Sequence, residues 1–172
     1  MERVKPMLQE YKRILAPVDG SDEAEIALKK ATQIAIRNHA TLDVLDVLDT
    51  RQFVGAYGGM LTSDVIYQIT EDTQDYLSGL QEELIKAGLP KEQIKIHIRF
   101  GDPKTIISLD FLKDYHDDLI ILGSTGLNAV ERLLVGSVSS YVTRNALTDV
   151  IVVRTDLNNQ AIKKSNKKNN KK

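Results

Sequence analysis

Apolar runs of strand length alternate along this chain with stretches in which apolar residues recur every third or fourth position. The first run, Arg13-Ile14-Leu15-Ala16-Pro17-Val18-Asp19, reads as a strand, with Pro17 expected at its end because proline has no N–H to give a ladder. Asp19-Gly20-Ser21-Asp22 follows as a turn; Ser21 or Asp22 is placed to cap a helix, and Glu25 to close a capping box on Asp22. Ala24, Ala27, Leu28, Ala31, Ile34 and Ala35 form the apolar stripe of that helix, which should run to about Asn38. Its small residues allow close approach to a sheet. Thr41–Leu48 is a second strand. Thr50 to about Asp64, with Gly55, Gly58 and Gly59, fits no period and serves as a flap over a site or as a plain surface connection.

A second helix is expected from about Asp64 to Ala87, with Val65, Ile69, Tyr76, Leu77, Leu80 and Leu84 inward, Gly88 as its C′ residue and Pro90 preventing continuation. Ile94–Phe100 alternates cleanly, setting Lys95, His97 and Arg99 on one face. It reads as a strand near a sheet edge with one wet side, and makes His97 an exposed residue. Gly101-Asp102-Pro103 turns into a third helix, Asp102 as N-cap and Pro103 at the first helical position, ending near Tyr115. Leu119-Ile120-Ile121-Leu122 is a buried strand, Val138, Tyr141, Val142 and Ala146 have helical spacing, and Val150–Val153 is a fifth strand.

Strands and helices in strict alternation imply an α/β fold: a five-stranded parallel sheet, right-handed crossovers, and helices on both faces. Ligands of such sheets sit beyond the C-terminal ends of the strands, where the strand order reverses. A reversal between the first and fourth strands would bring Pro17-Val18-Asp19 together with Gly123.

Composition narrows the function. At 172 residues, 42% apolar and 27% charged, the chain fits one soluble domain. The net charge of −1 includes six lysines in the last twelve residues, so residues 1–160 stand at −7, which argues against nucleic acid as a partner. Residues 1–10 read as an extension, 11–156 as the folded domain, and 157–172 as a Lys/Asn-rich disordered tail. With no cysteine there is no disulfide framework or thiol chemistry. The first twenty residues lack a signal-peptide core and no run reaches a membrane span, so a cytoplasmic protein away from membranes is expected.

Asp43, Asp46 and Asp49 recur every third residue, a spacing that sends strand side chains to both faces and disfavours a shared metal. The three histidines have no ligand-like spacing. The stretch Gly123–Val142, GSTGLNAVERLLVGSVSSYV, is more informative. A strand breaks at Gly123, Gly126 follows, and Gly136-Ser137 opens a helix, so the spacing G-x2-G-x9-G-S brings backbone N–H groups and a helix N-terminus to one loop. That is an anion-binding arrangement. Neither GxxxxGK[ST] nor a GxGxxG after the first strand is present.

With this loop, ILAPVDGSDEAEIAL, the GDP turn at 101–103, DLIILGSTG and GSVSSYV, the chain resembles the universal stress protein family in its nucleotide-binding branch, over about residues 11–155. The resemblance implies a Rossmann-like sandwich of the adenine nucleotide alpha hydrolase type, usually a homodimer, binding ATP without a well-defined catalytic role. It implies that Asp19 bonds the ribose, that Pro17 and Val18 border the nucleoside, and that Val47 contacts adenine. Gly123, Ser124, Thr125, Gly126, Asn128, Gly136, Ser137 and Val138 would hold the phosphates through N–H groups and hydroxyls. Many relatives carry a basic residue where this chain has Thr125 or Leu127. Phosphate charge would then fall to backbone donors, to Arg132 if it points inward, and to bound Mg²⁺.

The expectation is an ATP-binding regulator or sensor in the stress response, working through an unidentified protein partner. The alternative is a slow ATPase or nucleotidyl-transferring enzyme. Phosphoryl transfer needs positive charge on the γ-phosphate and an oriented nucleophile, and the loop offers no lysine, histidine or unambiguous base. A homodimer is expected through Val150–Val153, which as a sheet edge would leave apolar residues open to a second copy.

Overall fold

In a computed structural model, which describes residues 10–49, 51, 62–125 and 135–161, the elements follow the alternation in the chain. Strand β1 (Arg13–Val18) leads to helix α1 (Asp22–Asn38), then β2 (Thr41–Leu48) and α2 (Ser63–Lys86). A single 3₁₀ turn (Lys91–Gln93) precedes β3 (Ile94–Phe100). The third helical stretch is three pieces in continuity: α3 (Pro103–Thr105), a π segment (Ile106–Asp110) and α4 (Phe111–Tyr115). Then come β4 (Leu119–Gly123), α5 (Ser137–Asn145) and β5 (Asp149–Val153). All pairings within the five-stranded sheet are parallel, in the order β3-β2-β1-β4-β5.

Alternation along each strand feeds two cores. Ile14, Ala16 and Val18 of β1, with Leu42 and Val44 of β2, face Ala27, Leu28, Ala31 and Ala35 of α1 and Leu77, Leu80 and Leu84 of α2. Leu15, Leu45, Ile120 and Leu122 face the other way, onto Ile107, Phe111 and Val142. The alanine stripe lets α1 lie close over the middle of the sheet. Helix α2 stops at Ala87 and Gly88, whose φ of +101° is open to glycine; Leu89 N–H returns to Leu84 C=O at 3.1 Å.

At three points the structure sharpens or corrects a local expectation. The cap of α1 is Ser21, whose Oγ accepts from Ala24 N–H at 3.2 Å. No box closes on Asp22, because Glu25 instead receives the Tyr76 hydroxyl at 3.4 Å. Pro17 is the next-to-last residue of β1, at the strand's end as expected but still level with Leu45 of β2. It is tolerated there because β1 and β4 pair only at Ile14–Leu119 and Leu15–Ile120. Past Leu15 the two strands part, and a residue without an N–H costs no bond on that side. Finally, His97 is not exposed. Its face of β3 is covered by α4, and its side chain is 12% accessible, against Phe111 and Tyr115.

Candidate functional site

Between the parting ends of β1 and β4 the strand order reverses, and the crevice lies at the C-terminal ends of both. Pro17, Val18 and Asp19 reach it from β1, and Gly123, Ser124 and Thr125 from β4. The two halves meet directly. A Cβ built on Gly123 would lie 2.9 Å from the backbone carbon of Glu23 and 3.1 Å from the nitrogen of Ala24, both in the first turn of α1. The missing side chain at 123 therefore serves the packing of α1 onto β4, a reason distinct from room for a ligand. Val47, next to last in β2, lies next door, partly buried against the core beneath α4 and α5. Gly126 and Asn128, with Leu127 and Arg132, lie outside the described residues, as does most of the glycine-rich 50–64 stretch.

The two ends of the glycine loop are tied to one another. Ser124 N–H bonds Val153 C=O at 3.0 Å, and Gly136 N–H bonds Ser124 C=O at 2.7 Å. Gly136 thus closes the loop with the donor that the sequence suggested for a phosphate. Two serines that sequence reasoning left out complete the tie: buried Ser139 donates to Gly123 C=O at 2.7 Å, and Ser140 Oγ to Val135 C=O at 3.1 Å. The GSVSS run held the signal, since serines two and three places after the helix start can turn back onto the preceding strand.

These ties aim α5 at the crevice with its N-terminus open. Gly136 is its N-cap, no side chain among the described residues caps it, and its first turn holds no acid. The other long helices differ: α1 is capped by Ser21 and carries Asp22, Glu23 and Glu25 in its first turn, and α2 is capped by Thr62 and carries Asp64. The short α3 is capped by Asp102. Anion-binding potential at this end of the sheet therefore concentrates at Ser137, Val138 and Ser139 N–H. Ser137 is exposed there, whereas the Val138 side chain packs into the core and leaves only its backbone for a ligand.

The other side of the crevice is acidic. Asp19 Oδ1 accepts from Ser21 N–H at 3.1 Å and from Ser21 Oγ at 2.5 Å, which fixes the carboxylate at the turn. Asp46, level with Val18 in the ladder, points to the α1–α2 side. Burial, and then the Asp19 carboxylate, push Asp46 up to about 6. Burial followed by Glu25 and Asp46 push the Tyr76 hydroxyl upward as well. The acids at 43, 46 and 49 do part company: Asp43 faces the opposite core, and Asp49 holds Arg51 at 2.7 Å. Arg51 also reaches Asp102 at 3.3 Å, tying the end of β2 to the start of α3. Among the described residues no group of three or more His, Cys, Asp or Glu is placed to hold a metal, and no helix is long and apolar enough to cross a membrane.

A cavity of about 600 Å³ lies elsewhere, between α1, α2 and the turn at 157–159, floored by Leu28, Leu80 and Leu84. It shares none of the strand-end residues.

Comparison with known proteins agrees with this architecture. The model of the Universal stress protein family matches residues 10–154. A putative universal stress protein of Staphylococcus saprophyticus is 42% identical over 152 residues, 85% of each chain. Among solved structures, universal stress protein UspA from Lactobacillus plantarum is 34% identical with a TM-score of 0.69, over 85% of this chain and 99% of its own. A universal stress protein in complex with cAMP is 25% identical with a TM-score of 0.56, over 84% and 98%.

Proposed function

The chain belongs to the universal stress protein family, and from that premise we propose that it binds ATP with Mg²⁺ and acts as a nucleotide-dependent regulator or sensor, not as a dedicated enzyme. The observation that carries this reading is the uncapped, acid-free N-terminus of α5 at the point where β1 and β4 part. A chain that caps its other long helices and leaves this one open has left a place for an external anion. The relative bound to cAMP supports an adenine nucleotide as that ligand.

In this reading the triphosphate takes the first-turn N–H groups of α5 and the Ser137 hydroxyl, with Ser124, Thr125, Gly126 and Asn128 along the loop. Gly123 and Gly136 act by shaping and closing the loop, since the Gly136 N–H is engaged with Ser124. Asp19, already oriented by Ser21, accepts from the ribose hydroxyls, and Pro17, Val18 and Val47 flank the nucleoside. Mg²⁺ would be held by phosphate oxygens, supplying the charge that Thr125 and Leu127 do not. Heat release of small molecules from the purified protein tests the assignment: an adenine nucleotide at near-stoichiometric yield is expected, and its absence together with no ATP affinity would refute it. Phosphate release by the wild type at a rate matched by Asp19→Ala fits a holder; a rate well above that variant promotes the slow ATPase.

Dimerisation through β5 belongs to the same reading. It is an edge strand, with Ile151 at 38% exposure and Leu147 just before it at 93%. Pairing with a second copy would cover both. Light scattering at tens of micromolar should give twice the chain mass.

A further inference from the structure

At the opposite end of the sheet from the crevice, four charged or titratable side chains are buried together. Arg13 opens β1, Asp43 lies early in β2, His97 is mid-β3, and Asp117 stands just before β4. The Asp43 and Asp117 side chains are fully buried. Asp43 Oδ1 takes Arg13 Nη2 at 2.7 Å and His97 Nε2 at 2.6 Å, while Arg13 Nε is 3.9 Å from Asp117 Oδ1. Among the described residues, Asp43 Oδ2, both Asp117 oxygens and Arg13 Nε have no hydrogen-bond partner.

The surroundings add little to balance these charges. Tyr115 of α4 lies under the Arg13 guanidinium at 5.1 Å and takes a hydrogen bond from Arg99 Nη2 at 3.1 Å. Arg99 stands 3.9 Å from Asp114. Asp118 is engaged with the N–H groups of Lys12 and Arg13. Lys95, level with Asp43 in the ladder, is exposed, and α5 brings only Val138 and Val142 to this core.

Within the cluster Arg13 is the one permanent cation against two carboxylates. With both ionised and His97 neutral, the site would hold a buried net negative charge, and the Asp117 oxygens would be charged acceptors with no donor. One proton resolves both problems. Placed on Asp117, it makes that group a donor, and the neighbouring acceptor without a partner is Asp43 Oδ2. We propose that Asp117 carries a proton in the folded protein that it lacks in the unfolded chain, donated to Asp43, so that the cluster is a proton-linked clasp joining β1, β2, the edge strand β3 and the entry to β4.

Burial, and then the Asp43 carboxylate, push Asp117 up to about 7, with Arg13 opposing. Because the folded value is raised, the stabilisation is fully present below the ordinary carboxylate value of 3.8 and is lost as pH rises through about 7. The clasp holds in acid and loosens towards alkaline pH.

Melting temperatures of the wild type and Asp117→Asn from pH 4 to 8.5 test this, since Asn keeps a donor but has no proton to lose. The wild type should fall by about 5 °C relative to the variant as pH rises through that range; parallel profiles overturn the proposal. A carboxyl ¹³C titration of Asp117 in the folded wild type decides independently of how the variant folds. A midpoint near neutrality supports the clasp, and a midpoint near pH 4 overturns it.

Discussion

The two ends of one parallel sheet treat polar groups in opposite ways. At the C-terminal end the polar atoms belong mainly to backbone and hydroxyls, and the N-terminus of α5 is left uncapped beside a crevice. At the N-terminal end they belong to charged side chains that face one another, with the buried Asp43 between Arg13 and His97. The contrast separates two uses of buried polarity. Groups that complete each other hold strands in register, while groups left incomplete near solvent recruit a partner.

Substitutions can break the contrast at either end. Asp43→Ala should have the largest effect. It removes the shared acceptor of Arg13 and His97 and the acceptor proposed for the Asp117 proton, at a cost of about 4 kcal/mol in urea denaturation. Gly123→Ala should follow at about 2 kcal/mol, because its Cβ meets the backbone of α1 and not a flexible side chain. Were Gly123 needed only for a ligand, stability would be unchanged and affinity alone would fall.

Asp46→Asn sharpens the comparison from within the crevice. The folded carboxyl is raised to about 6, so its protonated form is favoured and stability is lost as pH rises from about 4 through 6. The Asn variant should match the wild type at pH 4 and exceed it by about 1 kcal/mol at pH 7. Equal stability at both pH values would show that Asp46 is well solvated.

How much of this was legible in the chain follows the same division. The strands Thr41–Leu48 and Ile94–Phe100 and the helix ending at Asn38 could be read to the residue, because their periods are set by which face each side chain takes. The alternation of elements implied the parallel order, and the glycine and serine pattern marked the crevice. What eluded pattern was the neighbourhood of each face. Lys95, His97 and Arg99 alternate like a wet face, but α4 lays Phe111 and Tyr115 over it, and His97 finds Asp43, 54 residues away in sequence. Asp117 and Asp46 are likewise ordinary acids until their neighbours in space are known. The cap fell on Ser21 and not Asp22 because Ser21 Oγ can serve both Asp19 and Ala24. The π segment at Ile106–Asp110 has no signature in the apolar spacing.

Binding at the open end is the central claim, and calorimetric titration of ATP into the nucleotide-free protein, with and without Mg²⁺, tests it most directly. Saturable binding is expected at one site per chain, tighter with Mg²⁺ and weakened about tenfold in Asp19→Ala, the loss of roughly one charge-assisted hydrogen bond. No heat in either condition at high micromolar protein, or binding indifferent to Asp19, would contradict it.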